Sequence, residues 1–164
     1  MKKLFNKNKK SGFTVLELLV VIAIIGILSA IILSQVSKAR ARGRDTRRIE
    51  DVRTLQTALE LYYTANYRYP TYDEFFGTGG TVKLTPTYIK TLPKDPKTGG
   101  IYRYSGIGAS VAACSHYHIG TILEQSNQAL NFDSDKTAVG SGNRCGSSQS
   151  DFSGTPALFY DLYK

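Results

Sequence analysis

Residues 10–33 read KSGFTVLELLVVIAIIGILSAIIL, and one acid in that stretch decides how the chain is read. From 13 to 33 there are twenty-one residues and a single ionisable group, Glu17. As a helix the run is roughly 31 Å long at about 1.5 Å per residue, enough to cross the hydrocarbon core of a membrane. A cleavable secretory signal has an apolar stretch of about 7–15 residues followed by a small-residue cleavage site. This run is longer and passes without a break into a helical pattern, so it reads as an anchor. A carboxylate inside a membrane helix is costly, which makes Glu17 a functional candidate whose partner must be named. A cut between Gly12 and Phe13 would give Phe13 a free ammonium about one helical turn from Glu17. That cation, on the same or a neighbouring chain, is the natural counter-charge. A buried acid is tolerated when paired and penalised when alone, so Glu17 would set the register of packed copies.

The basic leader, Gly12 ahead of Phe13, Thr14, Glu17 as fifth residue of the shortened chain and the unbroken aliphatics closely resemble the processing site and first helix of type IV prepilins and type II secretion pseudopilins. That resemblance implies an α+β fold of the type IV pilin kind, a long N-terminal helix packed on a small antiparallel sheet. It also implies cleavage between Gly12 and Phe13 by a prepilin peptidase on the cytoplasmic side, and N-methylation of Phe13. Glu17 would then serve assembly into a helical filament of identical subunits, driven by a membrane platform and a motor ATPase. No catalytic residue is implied.

The formal charge is +8, but Lys2, Lys3, Lys7, Lys9 and Lys10 fall in the first twelve residues. Without them sixteen basic residues face thirteen acidic ones. A basic chain raises nucleic acid as a partner. Here the excess lies beside an apolar run, so a membrane explanation comes first. Basic residues flank the run on both sides, so their count does not orient it; the resemblance places the leader inside.

Residues 34–65 continue as helix without proline. Ile49, Val52, Leu55, Leu59 and Tyr62 recur at steps of three or four and form one apolar stripe for a sheet to cover. Ahead of the stripe stand Lys38, Arg40, Arg42, Arg44, Arg47 and Arg48. Three uses compete for them: lipid headgroups before extraction, acids of neighbouring subunits, and DNA on a filament surface. Arg47 and Asp51 are spaced to pair at i,i+4.

Tyr67 to Pro70 ends the helix, because a proline disfavours helix at the residue before it. The segments YRYPTYDEF and YIKTLPKDPKTGGIYRYSG resemble the heads of major pseudopilins and their pilin relatives, with a turn at 92–96 and Gly99 and Gly100 at a hairpin. Strands are expected at 101–105, 116–123 and 156–160. Residues 125–155 read as a long loop, and such loops are usually functional or tied down. Cys114 and Cys145 lack CxxC spacing, which favours a disulfide holding that loop in an oxidising compartment, with two free thiols as the alternative. Asp133, Asp135 and Asp151 are oxygen-ligand candidates for structural calcium, which some major pseudopilins bind in a C-terminal loop; solvated turn residues are the plainer reading. His116 and His118 offer two donors where zinc wants more. GSGNRCG lacks the Gly-Lys-Ser/Thr ending of a phosphate loop, and no GxSxG occurs.

The expected organisation is a cleaved leader at 1–12, a helix at 13–65 and a head at 66–164. The expected function is a structural filament subunit without enzymatic activity, held in the membrane before assembly. A surface type IV pilus is preferred, since a long tied loop suits an exposed filament. A periplasmic type II secretion pseudopilus is the alternative, and a membrane-anchored binding domain a remote one.

Overall fold

The structure is a computed structural model that describes residues 12–77, 83–110, 113–135, 145, 152 and 158–164. The leader before Gly12 and most of the 125–155 loop lie outside them. The chain forms two compact units, Met1–Ala39 and Arg40–Lys164.

Helix α1 runs Val15–Asn66. From Val15 to Leu33 its side chains are apolar on every face apart from Glu17 and Ser29, and the large ones are all exposed. A helix that is apolar all round belongs in a membrane or in the core of an assembly. It is long and apolar enough to cross a membrane.

In the second unit α1 is amphipathic. Val52, Leu55, Leu59 and Tyr62 are fully buried and Ile49 is partly so, which is the expected stripe. The stripe meets one face of a three-stranded antiparallel sheet, β1 (Arg103–Gly108), β2 (Cys114–Ile122) and β3 (Phe159–Tyr163), in the order β1-β2-β3. Tyr104 pairs with Ile119 and Ile119 with Leu162, so side chains of alternate residues from all three strands share the face that covers the helix. This is the α+β, type IV pilin-like arrangement: a long N-terminal helix packed on a small antiparallel sheet. β1 begins two residues later than expected. β3 is displaced to Phe159–Tyr163, where alternating Phe159, Asp161 and Tyr163 give a period-two pattern on the other face.

Between helix and sheet, α2 (Tyr72–Phe76) starts in a capping box in which the Thr71 side chain accepts from Glu74 N–H and Glu74 accepts from Thr71 N–H. Glu74 also takes both ends of the Arg68 guanidinium at 2.7 Å. Phe75 stacks on Tyr104 with ring centroids 4.0 Å apart. The glycine pair expected at a hairpin closes a small turn: Gly99 is left-handed at φ 69°, Asp95 N–H donates to Gly100 O, and Lys94 bridges Ile101. The β1–β2 connection itself lies further on, past Gly108. Gly106 is demanded by space, since a Cβ there would stand 2.7 Å from Pro70 O.

Cys114 and Cys145 form a disulfide with Cα atoms 5.6 Å apart. Cys145 N–H donates to Gly106 O at 3.0 Å, so the bond pins the long loop across the start of β2 and the end of β1.

Candidate functional site

The N-terminal segment presents Gly12 and Phe13 exposed, immediately ahead of α1. Thr14 caps the helix. Its N–H and its Oγ1–H both donate to Glu17 Oε2 at 2.8 Å, and Glu17 N–H returns a bond to Thr14 Oγ1 at 3.2 Å. Thr14-Val15-Leu16-Glu17 is therefore a capping box, a pattern present in the sequence but not among the expectations drawn from it. Glu17 Oε1 has no hydrogen-bond or ion-pair partner among the described residues. The capping box employs one oxygen and leaves the other for a cation.

The basic cluster divides in two. Arg48, whose side chain is 3% exposed, donates to Asp95 from Nε and Nη2, and to Asp45 and Glu124 from Nη1 at 2.7 and 2.8 Å. Arg44 holds Glu124 through two bonds of 2.7 Å. Asp45 accepts the backbone N–H groups of Glu124 and Gln125, and Asp95 those of Lys97 and Thr98. Hydrogen bonds from Arg48 hold the Asp95 carboxyl well below its ordinary range, and those from Arg44 and Arg48 do the same for Glu124. This network fastens the helix to the 92–96 turn and to the end of β2, so Arg44 and Arg48 are head-locking residues. Arg40 and Arg47 stay exposed without partners among the described residues. The expected Arg47–Asp51 pair does not form, because Asp51 instead accepts the Tyr102 hydroxyl at 2.6 Å. A sequence signal for the network existed: Asp45 and Arg48 extend the buried 52-55-59-62 spacing backward in steps of three and four.

On the far face of the sheet, Asp133, Asp135 and Asp161 each offer a carboxylate oxygen within 4.8 Å of the others. Asp161 is fully buried in β3; its Oδ2 lies 2.6 Å from His118 Nε2 and its Oδ1 accepts Asp135 N–H at 3.0 Å. Both oxygens of Asp133 are buried and have no hydrogen-bond partner among the described residues. Burial first, then the charges of Asp135 and Asp161, push its carboxyl up to about 6. Three hard oxygen donors, one with an orphaned carboxylate, fit a calcium ion by donor chemistry. The expected set changes here. Asp151 lies outside the described residues, and Asp161, remote in sequence but brought close by β3, stands with Asp133 and Asp135. His118 is held by Asp161, stacks on Phe152 and meets Tyr163 edge-on, while exposed His116 meets Ser115 and stacks on the same Tyr163.

A processing-type N-terminus, a continuous apolar helix and a head built on its amphipathic half define a type IV pilin-like subunit. The prokaryotic N-terminal methylation motif matches residues 7–33. Type II secretion system core protein G of Vibrio cholerae is 34% identical over 116 residues, covering 66% of this chain and 77% of that protein. The protein of the same name from Pseudomonas aeruginosa is 32% identical over 114 residues (62% and 78%), and that of Aeromonas hydrophila 34% over 102 (55% and 69%). The chain belongs to this family, the major pseudopilins. Its relatives are named as a secretion-system core component and not as enzymes. No solved structure matches.

Proposed function

We propose that the chain is the repeating subunit of a type II secretion pseudopilus, made as a membrane-inserted precursor and polymerised into a short periplasmic filament. The observation that carries this is the joint likeness: a methylation motif at 7–33 together with 34% identity to core protein G over 116 residues. It favours the secretion filament over the surface pilus preferred on sequence grounds. In this reading a prepilin peptidase cuts between Gly12 and Phe13 and methylates Phe13. The new ammonium of one subunit meets the free oxygen of Glu17 on another. A platform and motor ATPase lift the subunit out of the bilayer. Asp133, Asp135 and Asp161 would hold calcium, which supplies the positive charge that three clustered carboxylates lack and ties the 133–135 segment to β3.

Deletion of the gene in its host, with mass spectrometry of the wild-type subunit, tests the proposal. The expected result is a mature chain starting at methylated Phe13 and loss of protein secretion on deletion. Normal secretion with loss of long surface filaments would return the protein to the pilus class.

A further inference from the structure

Behind the three aspartates stands a buried histidine–aspartate pair. Asp161 Oδ2 lies 2.6 Å from His118 Nε2, and both side chains are fully buried. A carboxylate only accepts, so the shared hydrogen belongs to Nε2. Asp161 Oδ1 takes Asp135 N–H at 3.0 Å, so the carboxylate is held through both oxygens. Two strands build this arrangement. In the register of β2 and β3, Gly120 stands opposite Asp161 and His118 opposite Tyr163, which makes His118 and Asp161 diagonal neighbours on one face. Gly120 keeps that face open beside them, since a Cβ there would lie 3.0 Å from Asp161 Cβ and 2.5 Å from Phe159 Cε1. The imidazole is in turn packed in place: its centroid is 4.0 Å from that of Phe152, on which it stacks, and 6.3 Å from that of Tyr163, which it meets edge-on.

Stability does not account for this pair. β2 and β3 are already joined by ladder pairing from His118 with Tyr163 to Ile122 with Phe159. Well-packed apolar residues of similar volume would serve the fold as well as a buried polar pair. What apolar residues cannot do is aim Asp161. Its carboxylate offers an oxygen within 4.8 Å of oxygens from Asp133 and Asp135, and a ligand helps a hard cation only when it is held where the others converge. We infer that His118 is a positioning residue for the divalent cation, fixing Asp161 as the ligand around which Asp133 and Asp135 close. Asp161 is the member anchored in the sheet, whereas Asp133 and Asp135 lie outside the strands, so the anchored carboxylate sets where the site forms. This role rests on the calcium reading of the acidic cluster and adds to it a residue that supplies no ligand atom.

The test uses the full chain in detergent, stripped of metal with a chelator and titrated with calcium in a calorimeter. His118→Leu, which keeps an apolar body and removes the donor, should bind calcium about 10–100-fold more weakly than wild type, as for loss of an outer partner of a metal ligand. His118→Gln, whose amide N–H reaches the place of Nε2, should bind as wild type does. A ring that served packing alone would be replaced better by Leu than by Gln. Circular dichroism of the metal-free variants checks that they fold. Should His118→Leu fail to fold, the wild-type chain decides: in nuclear magnetic resonance with nitrogen-labelled histidine, the His118 Nε2–H signal should shift with added calcium and saturate at the calorimetric affinity. Wild-type affinity in His118→Leu, equal losses in the Leu and Gln variants, or a His118 signal unmoved by calcium overturns the inference and leaves the calcium site standing. No calcium bound by wild type sinks the calcium reading and this role with it.

Discussion

Arg48→Ala tests whether the buried charge network or the apolar stripe decides how the head is fastened to the helix. The side chain is 3% exposed and makes four bonds to three carboxylates. Removing one partner of a buried ion pair costs about 3–5 kcal/mol. The lower end applies here, because each acid keeps other donors: Asp45 two backbone N–H groups, Asp95 two more, and Glu124 both Arg44 and Lys97. A loss of about 3 kcal/mol corresponds to roughly 10 °C in melting temperature for a unit of this size. Thermal unfolding of the full chain in detergent, followed by circular dichroism, reads it. Arg44→Ala, which removes a single and more exposed pair, should shift far less. Acid adds a second signature. The folded-state carboxyls of Asp95 and Glu124 are depressed, so their contribution is complete above about pH 4–5 and is lost as pH falls through their folded values. The gap between wild type and Arg48→Ala should therefore narrow toward pH 3. Equal shifts for Arg44→Ala and Arg48→Ala, or a gap that persists in acid, would refute the reasoning.

Chelation of divalent ions should lower the melting temperature of wild type but not of Asp133→Asn, as read by calorimetry with and without added calcium. In the metal-free protein Asp133 has a raised carboxyl, so stability should fall as pH rises from about 4 to about 6 and level off above; a rise over that window contradicts the assignment. Reducing Cys114–Cys145, which closes a separation of 31 residues, should cost about 3–4 kcal/mol in urea unfolding of the full chain. Thr14→Ala should weaken the first turn of α1 by about 1 kcal/mol, seen as faster amide exchange at residues 15–18. Glu17→Gln should leave that exchange unchanged, because Gln also closes a capping box, and yet abolish polymer.

The helix is legible in the sequence because its two halves carry different periodicities: unbroken aliphatics to Leu33, then a three-four stripe from Ile49 to Tyr62. The disulfide is legible as the only cysteine pair. The head is legible as a sheet but imprecise at its edges, since β1 takes its start from pairing Arg103 with Gly120, a tertiary fact no local pattern contains. The acidic cluster is half legible. Asp133 and Asp135 share a loop, whereas Asp161 lies in a strand that only sheet order brings beside them. In the bare sequence Arg48 is one more member of a basic patch. A charged residue on a buried stripe is recognised only when its carboxylates, 47 and 76 positions away, are folded against it.

The carboxylates of this chain sort by whether the chain itself satisfies them. Asp45, Glu74, Asp95 and Glu124 each receive several donors from their own subunit, and they serve the fold. Glu17 and Asp133 are met only in part or not at all: the first takes both Thr14 donors on a single oxygen and keeps its second open beside the helix start, and Asp133 keeps two buried oxygens beside further acids. A charge left over by its own fold must be met from outside or selected against. The two leftovers differ in what can reach them. An exposed acid on an apolar helix is accessible to the N-terminus of another copy, whereas a buried acid among acids admits only a small cation. Neutralising Glu17 should therefore disturb assembly and spare the monomer, and neutralising Asp133 should relieve the metal-free head while making it indifferent to calcium.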